Sequence, residues 1–231
     1  MVKEIIIIFS ERNQFILVFF FCFYLYFYYS VFCFILYYII MNKDIVFFGI
    51  QGSWKWTQAK IFLEEYPNFK YIEPGQIFRA LSSNANAISG FMKDTMAQWK
   101  MLPDTLAFDL FTMCFHLLEA NELMLTDGFP RTMAQLHYFI AKECENKRDF
   151  VGVYFDISRE KAVERILNRA KEQNRADDLD MNTINKRLDT FEKETMPVIK
   201  YFESIWKLIT VWAEDSVDEI YKKMIDSLKA C

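Results

Sequence analysis

One short segment constrains the fold more than any other part of the sequence. Residues 44–60 read DIVFFGIQGSWKWTQAK, an apolar run followed by a glycine-containing turn, a lysine, a threonine and a stretch with helical spacing. In this order, backbone N–H groups and a helix N-terminus can surround a phosphate, with Lys55 on its oxygens and the Thr57 hydroxyl near Mg²⁺. The alternative is a plain strand–turn–helix whose lysine faces solvent, since the loop retains only Gly49 and Gly52.

Apolar runs alternate with helical stretches through the rest of the chain after Met41. The predicted strands lie in DIVFFGI, FKYIEPG, ELMLTDGFP, VGVYFDI and KLITV. The predicted helices cover TQAKIFLEEY, residues near 76–83, 87–98, 104–119 and 132–146, REKAVERILNRA, residues 181–204, and SVDEIYKKMIDSL. This alternation predicts an α/β fold with a parallel sheet covered on both faces. With no repeat or linker visible, residues 41–231 form one domain with inserted segments.

Residues 1–40 differ from the rest in composition. The run 15–40 contains no charged residue and is long enough to cross a bilayer. It is mostly Phe, Tyr and Ile and contains neither Gly nor Ala, unlike natural spanning helices. We therefore interpret residues 1–40 as an over-extended reading frame, with Met41 as the true start. The alternative is a membrane helix, and only in that case is a membrane a partner.

Charge and cysteine content narrow the class of protein. The formal net charge of −4 provides no basic surface, which excludes a nucleic-acid partner. The five cysteines are scattered without CxxC spacing: Cys22, Cys33, Cys114, Cys144 and Cys231. This argues against a disulfide framework or a zinc ribbon and indicates a cytoplasmic protein. His116 and His137 lack ligand spacing and are interpreted as ordinary histidines.

A second motif, LMLTDGFPRTMAQ at residues 123–135, carries more specific chemistry. Asp127 ends an apolar strand, where a phosphate-loop enzyme needs a carboxylate for the magnesium shell. Arg131 follows on a rigid turn suited to a phosphate, and Gln135 can offer a donor and an acceptor to a purine edge. The alternative is a strand–turn–helix junction capped by an acid and a base.

Arginines form a third group. Arg165 and Arg169 are four residues apart on one helix face, Arg175 lies in a polar connector and Arg187 on the next helix. Cations that converge on a moving phosphate stabilise phosphoryl transfer. The alternative is a set of solvated arginines paired with acids such as Glu164, Glu172 or Asp178.

Together these motifs resemble those of adenylate kinase and the related short-lid nucleoside monophosphate kinases. The matching segments are GIQGSWKWTQAK, PGQIFRA, WKMLPD, TDGFPRTMAQ, ERILNR, RADD, KRL and ETMPVIKYFE. The resemblance implies the three-layer P-loop NTPase fold with a five-stranded parallel sheet, an AMP-binding segment at about 72–103 and a short lid at about 170–178, without zinc. It also implies a monomer that converts ATP and AMP into ADP with Mg²⁺. Thr132 in the motif favours AMP, and a UMP/CMP kinase is the alternative.

The resemblance also implies roles for individual residues. Those around the transferred phosphoryl group are Lys55, Arg131, Arg165, Arg169, Arg175 and Arg187. Those that bind ATP are Gly49, Gly52, Ser53, Trp54, Lys55, Trp56, Thr57, Gln58 and Arg165. Those that bind AMP are Gly75, Arg79, Gly128, Arg131, Gln135, Arg175 and Arg187. Thr57 and Asp127 contact Mg²⁺, mostly indirectly.

The sequence departs from the family pattern before the AMP arginine. The usual S-T-G-D reads Glu73-Pro74-Gly75-Gln76 here, so a hydroxyl contact to the acceptor is lost.

All five tryptophans stand at or near glycine positions of the family: Trp54, Trp56, Trp99, Trp206 and Trp212. We interpret them as UGA codons that should read glycine. The alternative is a decayed, nucleotide-binding pseudokinase whose indoles block the loop. Misread glycines predict indoles that flank Lys55, follow helix ends and close the last strand. Most should be exposed, and some should have backbone angles that side chains avoid.

Overall fold

The computed structural model describes residues 42–83, 89–91, 103–173 and 180–230, all within the unit Asn42–Cys231. The 1–40 extension, most of the lid and much of the AMP-binding segment lie outside the described residues, as do Trp99, Arg175 and Cys231. Within the described ranges, no helix is both long enough and apolar enough to span a membrane.

Five parallel strands form the central sheet, as the sequence predicts. They are β1 (Asp44–Phe48), β2 (Phe69–Ile72), β3 (Leu123–Asp127), β4 (Phe150–Asp156) and β5 (Leu208–Trp212). Their spatial order is β2-β3-β1-β4-β5, with β1 at the centre between β3 and β4. Because parallel strands end at the same edge, the loops after β1 and β3 lie side by side. This arrangement brings the first two sequence motifs together.

The helices are α1 (Lys55–Glu65), α2 (Pro74–Ser83), α3 (Asp104–His116), α4 (Met133–Glu145), α5 (Arg159–Gln173), α6 (Met181–Thr190), α7 (Met196–Ser204) and α8 (Val217–Lys229). The prediction of a single helix over 181–204 was wrong in one respect. A π-helical turn, Phe191–Thr195, separates α6 from α7. Pro197 follows this turn and has no N–H to donate to the carbonyl of Lys193, which interrupts the regular hydrogen-bond ladder.

Phenylalanine rings fill the main hydrophobic core. Phe48 of β1 packs against Phe202 of α7 with ring centroids 5.0 Å apart. Phe139 of α4 packs edge-on against Phe150 of β4 at 5.1 Å. All four rings are buried, so the sheet is fixed to α4 and α7 by large apolar contacts.

Trp206 occupies a helix ending that usually requires glycine. The Lys207 N–H donates to the Phe202 carbonyl and the Trp206 N–H to the Glu203 carbonyl, both at 3.0 Å. This pair of hydrogen bonds is typical of a helix ending in which the first residue after the C-cap takes a left-handed conformation. Trp206 is that residue, with φ of 59°. Lys147 has a similar φ of 55° after α4, so the angle alone does not identify a misread glycine. The indole of Trp206, however, is 92% exposed and gains no burial in return.

The other described tryptophans also lie where the glycine interpretation predicts. Trp54 immediately precedes α1 with φ of 63°, and Trp56 on the other side of Lys55 is 50% exposed. Trp212 is the last residue of β5 and is 48% exposed. None of these four indoles is buried in the core, so the predicted placement is confirmed for Trp54, Trp56, Trp206 and Trp212.

A buried acid lies at the start of the central strand β1, at the end of the sheet opposite the loop that follows β1. Arg148 donates from Nε and Nη2 to the two carboxylate oxygens of Asp44, at 2.5 and 2.6 Å. The neighbouring carboxyl of Glu143 on α4 is fully buried. Burial and the negative charges of Asp44 and Asp149 raise the pKa of Glu143 far above its usual range, against the opposing effect of Arg148. Glu143 is therefore protonated at neutral pH.

Glu143→Gln is expected to raise the free energy of unfolding, and to raise it more at about pH 8 than at about pH 5. Folding raises the pKa of this carboxyl, so the free energy of unfolding falls as the pH rises above the ordinary pKa of a glutamate. The reason is that the unfolded chain releases the proton at a lower pH than the folded chain does. Glutamine keeps the shape and removes the titration. Urea denaturation at both pH values measures the difference, with Glu145→Gln on the exposed face of the same helix as control. Equal gains at both pH values would contradict the assignment.

Candidate active site

The loop between β1 and α1 has the backbone that a phosphate-binding loop requires. Gly52 has φ of 91°, and a Cβ added there would lie 2.8 Å from the carbonyl oxygen of Ala162. Any side chain at this position would meet both backbone strain and a steric clash. Gly52 therefore lets the loop pass close to α5 while turning into α1.

Lys55 folds back over this loop. Its Nζ donates to the carbonyl oxygens of Gly49, at 2.8 Å, and Ile50, at 3.2 Å. Burial lowers the pKa of Lys55 below its ordinary value, while the charge of Asp127 opposes that shift. The sequence alternative of a solvent-facing lysine does not hold.

Asp127 ends β3 beside this lysine. Its carboxylate is buried, and burial raises its pKa above the ordinary value, with Lys55 acting in the opposite direction. The Tyr71 hydroxyl lies 3.3 Å from Asp127 Oδ2. The carboxylate oxygens, with the Thr57 hydroxyl at the start of α1, are the hard oxygen donors that Mg²⁺ prefers. Asp127 and Thr57 would hold Mg²⁺ here, and the ion would supply positive charge to bound phosphates. Among the described residues, no group of three or more His, Cys, Asp or Glu side chains could hold a metal ion.

The turn after β3 places Arg131 at the same edge. Arg131 Nε donates to the Gly128 carbonyl at 2.9 Å, while the arginine remains exposed. Gly128 has φ of 88°, and a Cβ there would lie 2.5 Å from Arg131 Nη2. The charge of Arg131 also acts on Lys55, so the loop lysine and this arginine share one site.

Gln135 lies one helical turn further, in α4, and is buried. Its Oε1 accepts a hydrogen bond from the Arg131 backbone N–H, and its Nε2 donates to Asp104 Oδ1, both at 2.8 Å. A carboxamide has two N–H donors and two acceptor lone pairs on its oxygen. After these two hydrogen bonds, Gln135 keeps one donor and one acceptor for the edge of a base. Asp104, at the start of α3, orients this amide, and sequence reasoning missed it. The WKMLPD segment was the signal that could have identified it.

Three of the four predicted arginines lie around the loop. Arg165 donates to the carbonyl oxygens of Ala213 at 2.7 Å and Gly52 at 3.4 Å. Arg187 donates to Gln51 Oε1 at 2.9 Å, and the charge of Arg169 acts on Lys55. Glu164, one of the acids that could have paired with these arginines, forms an ion pair with Lys161 at 2.8 Å. The structure thus brings the loop, the second motif and these arginines together.

Comparison with known proteins assigns this arrangement to a family. The adenylate kinase family model matches residues 47–207, which include the loop, Asp127, Arg131 and the described arginines. The chain belongs to the adenylate kinase family. It is a nucleoside monophosphate kinase, and kinases of this family use Mg²⁺ with ATP.

Its relatives in this family carry two names. The chain is 32% identical to uridylate kinase from Saccharomyces cerevisiae over 184 residues, which cover 78% of this chain and 88% of the relative. It is 30% identical to adenylate kinase from Bacteroides fragilis over 189 residues, 80% of this chain and 99% of the relative. It is 32% identical to adenylate kinase isoenzyme 1 from Caenorhabditis elegans over 182 residues, 78% and 84% of the two chains.

Two predicted ATP-binding side chains of this adenylate kinase family member are buried within the protein. Ser53 is fully buried, and its hydroxyl lies 3.5 Å from Lys55 Nζ. Gln58 is also fully buried, and its amide donates to the Val217 carbonyl at 3.0 Å. The Gln58 side chain therefore packs α1 against α8.

Two further side chains beside the phosphate site were not predicted as site residues. Tyr71 Oη lies 3.2 Å from Glu73 Oε2 as well as 3.3 Å from Asp127 Oδ2. Burial raises the pKa of Tyr71 far above its ordinary value, so the hydroxyl stays protonated between the two carboxyl groups. No residue pattern in the sequence indicated this contact, because β2 and β3 pair only in the folded sheet.

Both loop tryptophans contact residues of the kinase site. The guanidinium of Arg165 lies 3.8 Å from the ring centroid of Trp54, a cation–π contact. The Trp56 ring lies 5.3 Å from the ring of Tyr71. The indoles on the two sides of Lys55 in the sequence therefore contact an arginine and a tyrosine of the site.

Proposed function

We propose that this kinase transfers a phosphoryl group from ATP to AMP, giving two ADP. One observation carries the proposal: Lys55, Asp127 and Arg131 interact electrostatically at one edge of the sheet, beside Gln135. A buried amide with one free donor and one free acceptor suits the edge of adenine. Thr132, which caps α4 beside it, supports the same acceptor through the motif. UMP or CMP is the second candidate, favoured by the relative named uridylate kinase.

The geometry supports direct transfer, with no covalent intermediate on the protein. Phosphoryl transfer depends mainly on positioning and on cations around the moving group. Lys55 and the loop N–H groups hold the donor phosphates, and Arg131 with Arg79 holds the acceptor phosphate. Thr57 and Asp127 would hold Mg²⁺ on this side of the site, and the ion would offset the negative charge of the phosphates. Closure over both nucleotides would exclude water from the reaction.

In the chain carrying Trp54→Gly and Trp56→Gly, AMP is expected to be the best phosphoryl acceptor. The amide of Gln135, fixed by Asp104 and Arg131, discriminates between bases, and a base that leaves its polar groups unpaired loses affinity. Coupled assays with ATP as donor compare kcat/KM for AMP, UMP and CMP. Faster use of UMP or CMP would reject the assignment from Thr132 and Gln135.

Asp104→Asn serves as the matched test of base recognition. It replaces the carboxylate that accepts a hydrogen bond from Gln135 Nε2 with a neutral amide, so the Gln135 side chain can rotate. The preference for AMP over UMP should shrink, while the phosphate contacts of Arg131 remain.

An inactive nucleotide-binding protein is the alternative if both loop tryptophans are genuine. The contact of Trp54 with Arg165 favours it, because an indole on that guanidinium restricts access to the loop. The genomic codons at positions 54 and 56 separate the two functions, because UGG at both would show that the tryptophans are genuine.

A further inference from the structure

A carboxylate lies inside the acceptor half of the site, where the family pattern has a hydroxyl. Glu73 directly follows β2, and its Oε1 accepts from Arg79 Nη2 at 2.8 Å. The Tyr71 hydroxyl lies 3.2 Å from its other oxygen, Oε2. The Glu73 side chain is only 19% exposed, so it is fixed between the arginine and the tyrosine.

The charge of Glu73 extends to the reacting centre. It raises the pKa of Asp127 and opposes the lowering of the pKa of Lys55. Glu73 therefore lies in the same electrostatic field as the phosphate-binding groups. A second negative group that enters this field meets repulsion as well as attraction.

Arg79 is held ready for an anion. Its side chain is 53% exposed, and it extends back past Gly75, where an added Cβ would lie 3.2 Å from Arg79 Nη1. Gly75 thus leaves room for the guanidinium to lie against the backbone, with Glu73 Oε1 on Nη2. A carboxylate and a phosphate are alternative partners for the same planar fork of donors.

We propose that Glu73 is an internal competitor of the acceptor phosphate and weakens the binding of nucleoside monophosphates. This inference rests on the proposed function, in which Arg79 binds that phosphate. An incoming phosphate must displace Glu73 from Arg79 or share the guanidinium with it. In both cases the carboxylate stays close, because Tyr71 holds its second oxygen. Glu73 thereby raises KM for the acceptor without a role in the transfer step.

Calorimetric titration of the full chain tests this, with AMP, UMP and adenosine as ligands. Glu73→Gln should tighten AMP binding about tenfold, the size expected when a partly exposed ion pair and a nearby repulsion are both removed. Adenosine, which has no phosphate, should bind equally to both forms. Glu145→Gln removes the acid of the ion pair with Lys142, outside the site, and should change nothing.

A kinetic comparison completes the test in the chain carrying Trp54→Gly and Trp56→Gly. Adding Glu73→Gln should lower KM for the acceptor, with little change in kcat. Unchanged AMP affinity and KM would overturn the role of Glu73 and leave the kinase assignment intact. If UMP binding tightens while AMP does not bind, Glu73 keeps its role and the AMP assignment fails. If neither form binds a nucleoside monophosphate, both proposals fail.

Discussion

Arg131→Ala is expected to lower kcat/KM by about 10³-fold or more, measured in the chain carrying Trp54→Gly and Trp56→Gly. The guanidinium is fixed through Nε to the Gly128 carbonyl, and its charge acts on Lys55. A fixed cation at this position attracts the acceptor phosphate and stabilises the charge that develops during transfer. Alanine removes that cation without filling its place.

The control for this experiment is Arg159→Ala. Arg159 forms ion pairs with Asp189 at 2.8 Å and Glu192 at 3.3 Å, and neither acid belongs to the phosphate site. Steady-state kinetics should show little change for this variant. Circular dichroism and thermal melting verify that both variants fold. A loss of less than about tenfold for Arg131→Ala would show that the arginine does not contact the reacting phosphates.

Trp54→Gly together with Trp56→Gly is expected to raise kcat/KM by at least about 10³-fold over the chain as it stands, which should bind ATP poorly. Trp54 has a left-handed backbone, which costs roughly 1–2 kcal/mol for a side-chain-bearing residue, and its indole covers Arg165. Trp56 lies against Tyr71, next to the carboxyl groups of Glu73 and Asp127. Glycine at both positions restores the space and the backbone freedom that a phosphate loop needs.

Trp206→Gly separates a local effect on the loop from a general effect of removing tryptophan. It relieves the same left-handed strain at a largely exposed site after α7, so it should raise the free energy of unfolding without restoring activity. Calorimetry with ATP and a coupled kinase assay compare the three proteins. Tight ATP binding by the unaltered chain would show that the indoles are compatible with the loop. The expectation that the indoles block the loop would then be wrong, and a nucleotide-binding pseudokinase would stay the alternative if that chain also transferred no phosphate.

The genomic codons provide an independent test of the glycine interpretation. UGA at positions 54, 56, 99, 206 and 212, in a genome that reads UGA as glycine, would support it. UGG at the two loop positions would reject it and favour the pseudokinase.

The sequence sufficed to predict the parallel sheet and to bring its two main motifs to one end of that sheet. Each strand is a short apolar run, and each helix has its own periodicity, so both could be identified from local pattern. The placement of Asp127 at the end of β3 and of Arg131 in the turn after it followed from their order in the chain, since parallel strands end on one side of the sheet. The placement of Trp54 and Trp206 was also a local signal, because positions in turns and at helix ends that favour glycine are defined by their neighbours.

Contacts between distant segments depended on the tertiary structure. Pairing of β2 with β3 brings Tyr71 to Asp127, and the start of α3 brings Asp104 to Gln135. The internal pairing of Glu73 with Arg79 could be suspected from a six-residue spacing, but not its position in the field of Lys55.

By itself, the sequence determined which elements form, apart from the π-helical turn between α6 and α7, because hydrogen bonding and apolar periodicity act over a few neighbouring residues. The tertiary structure alone decided which charges meet. The energies of ion pairs and hydrogen bonds depend on distance and burial. The contact of Trp54 with Arg165 and the effect of Glu73 on Lys55 join segments far apart in the chain, so their distances and burial were set only when α5 and β2 packed into the fold.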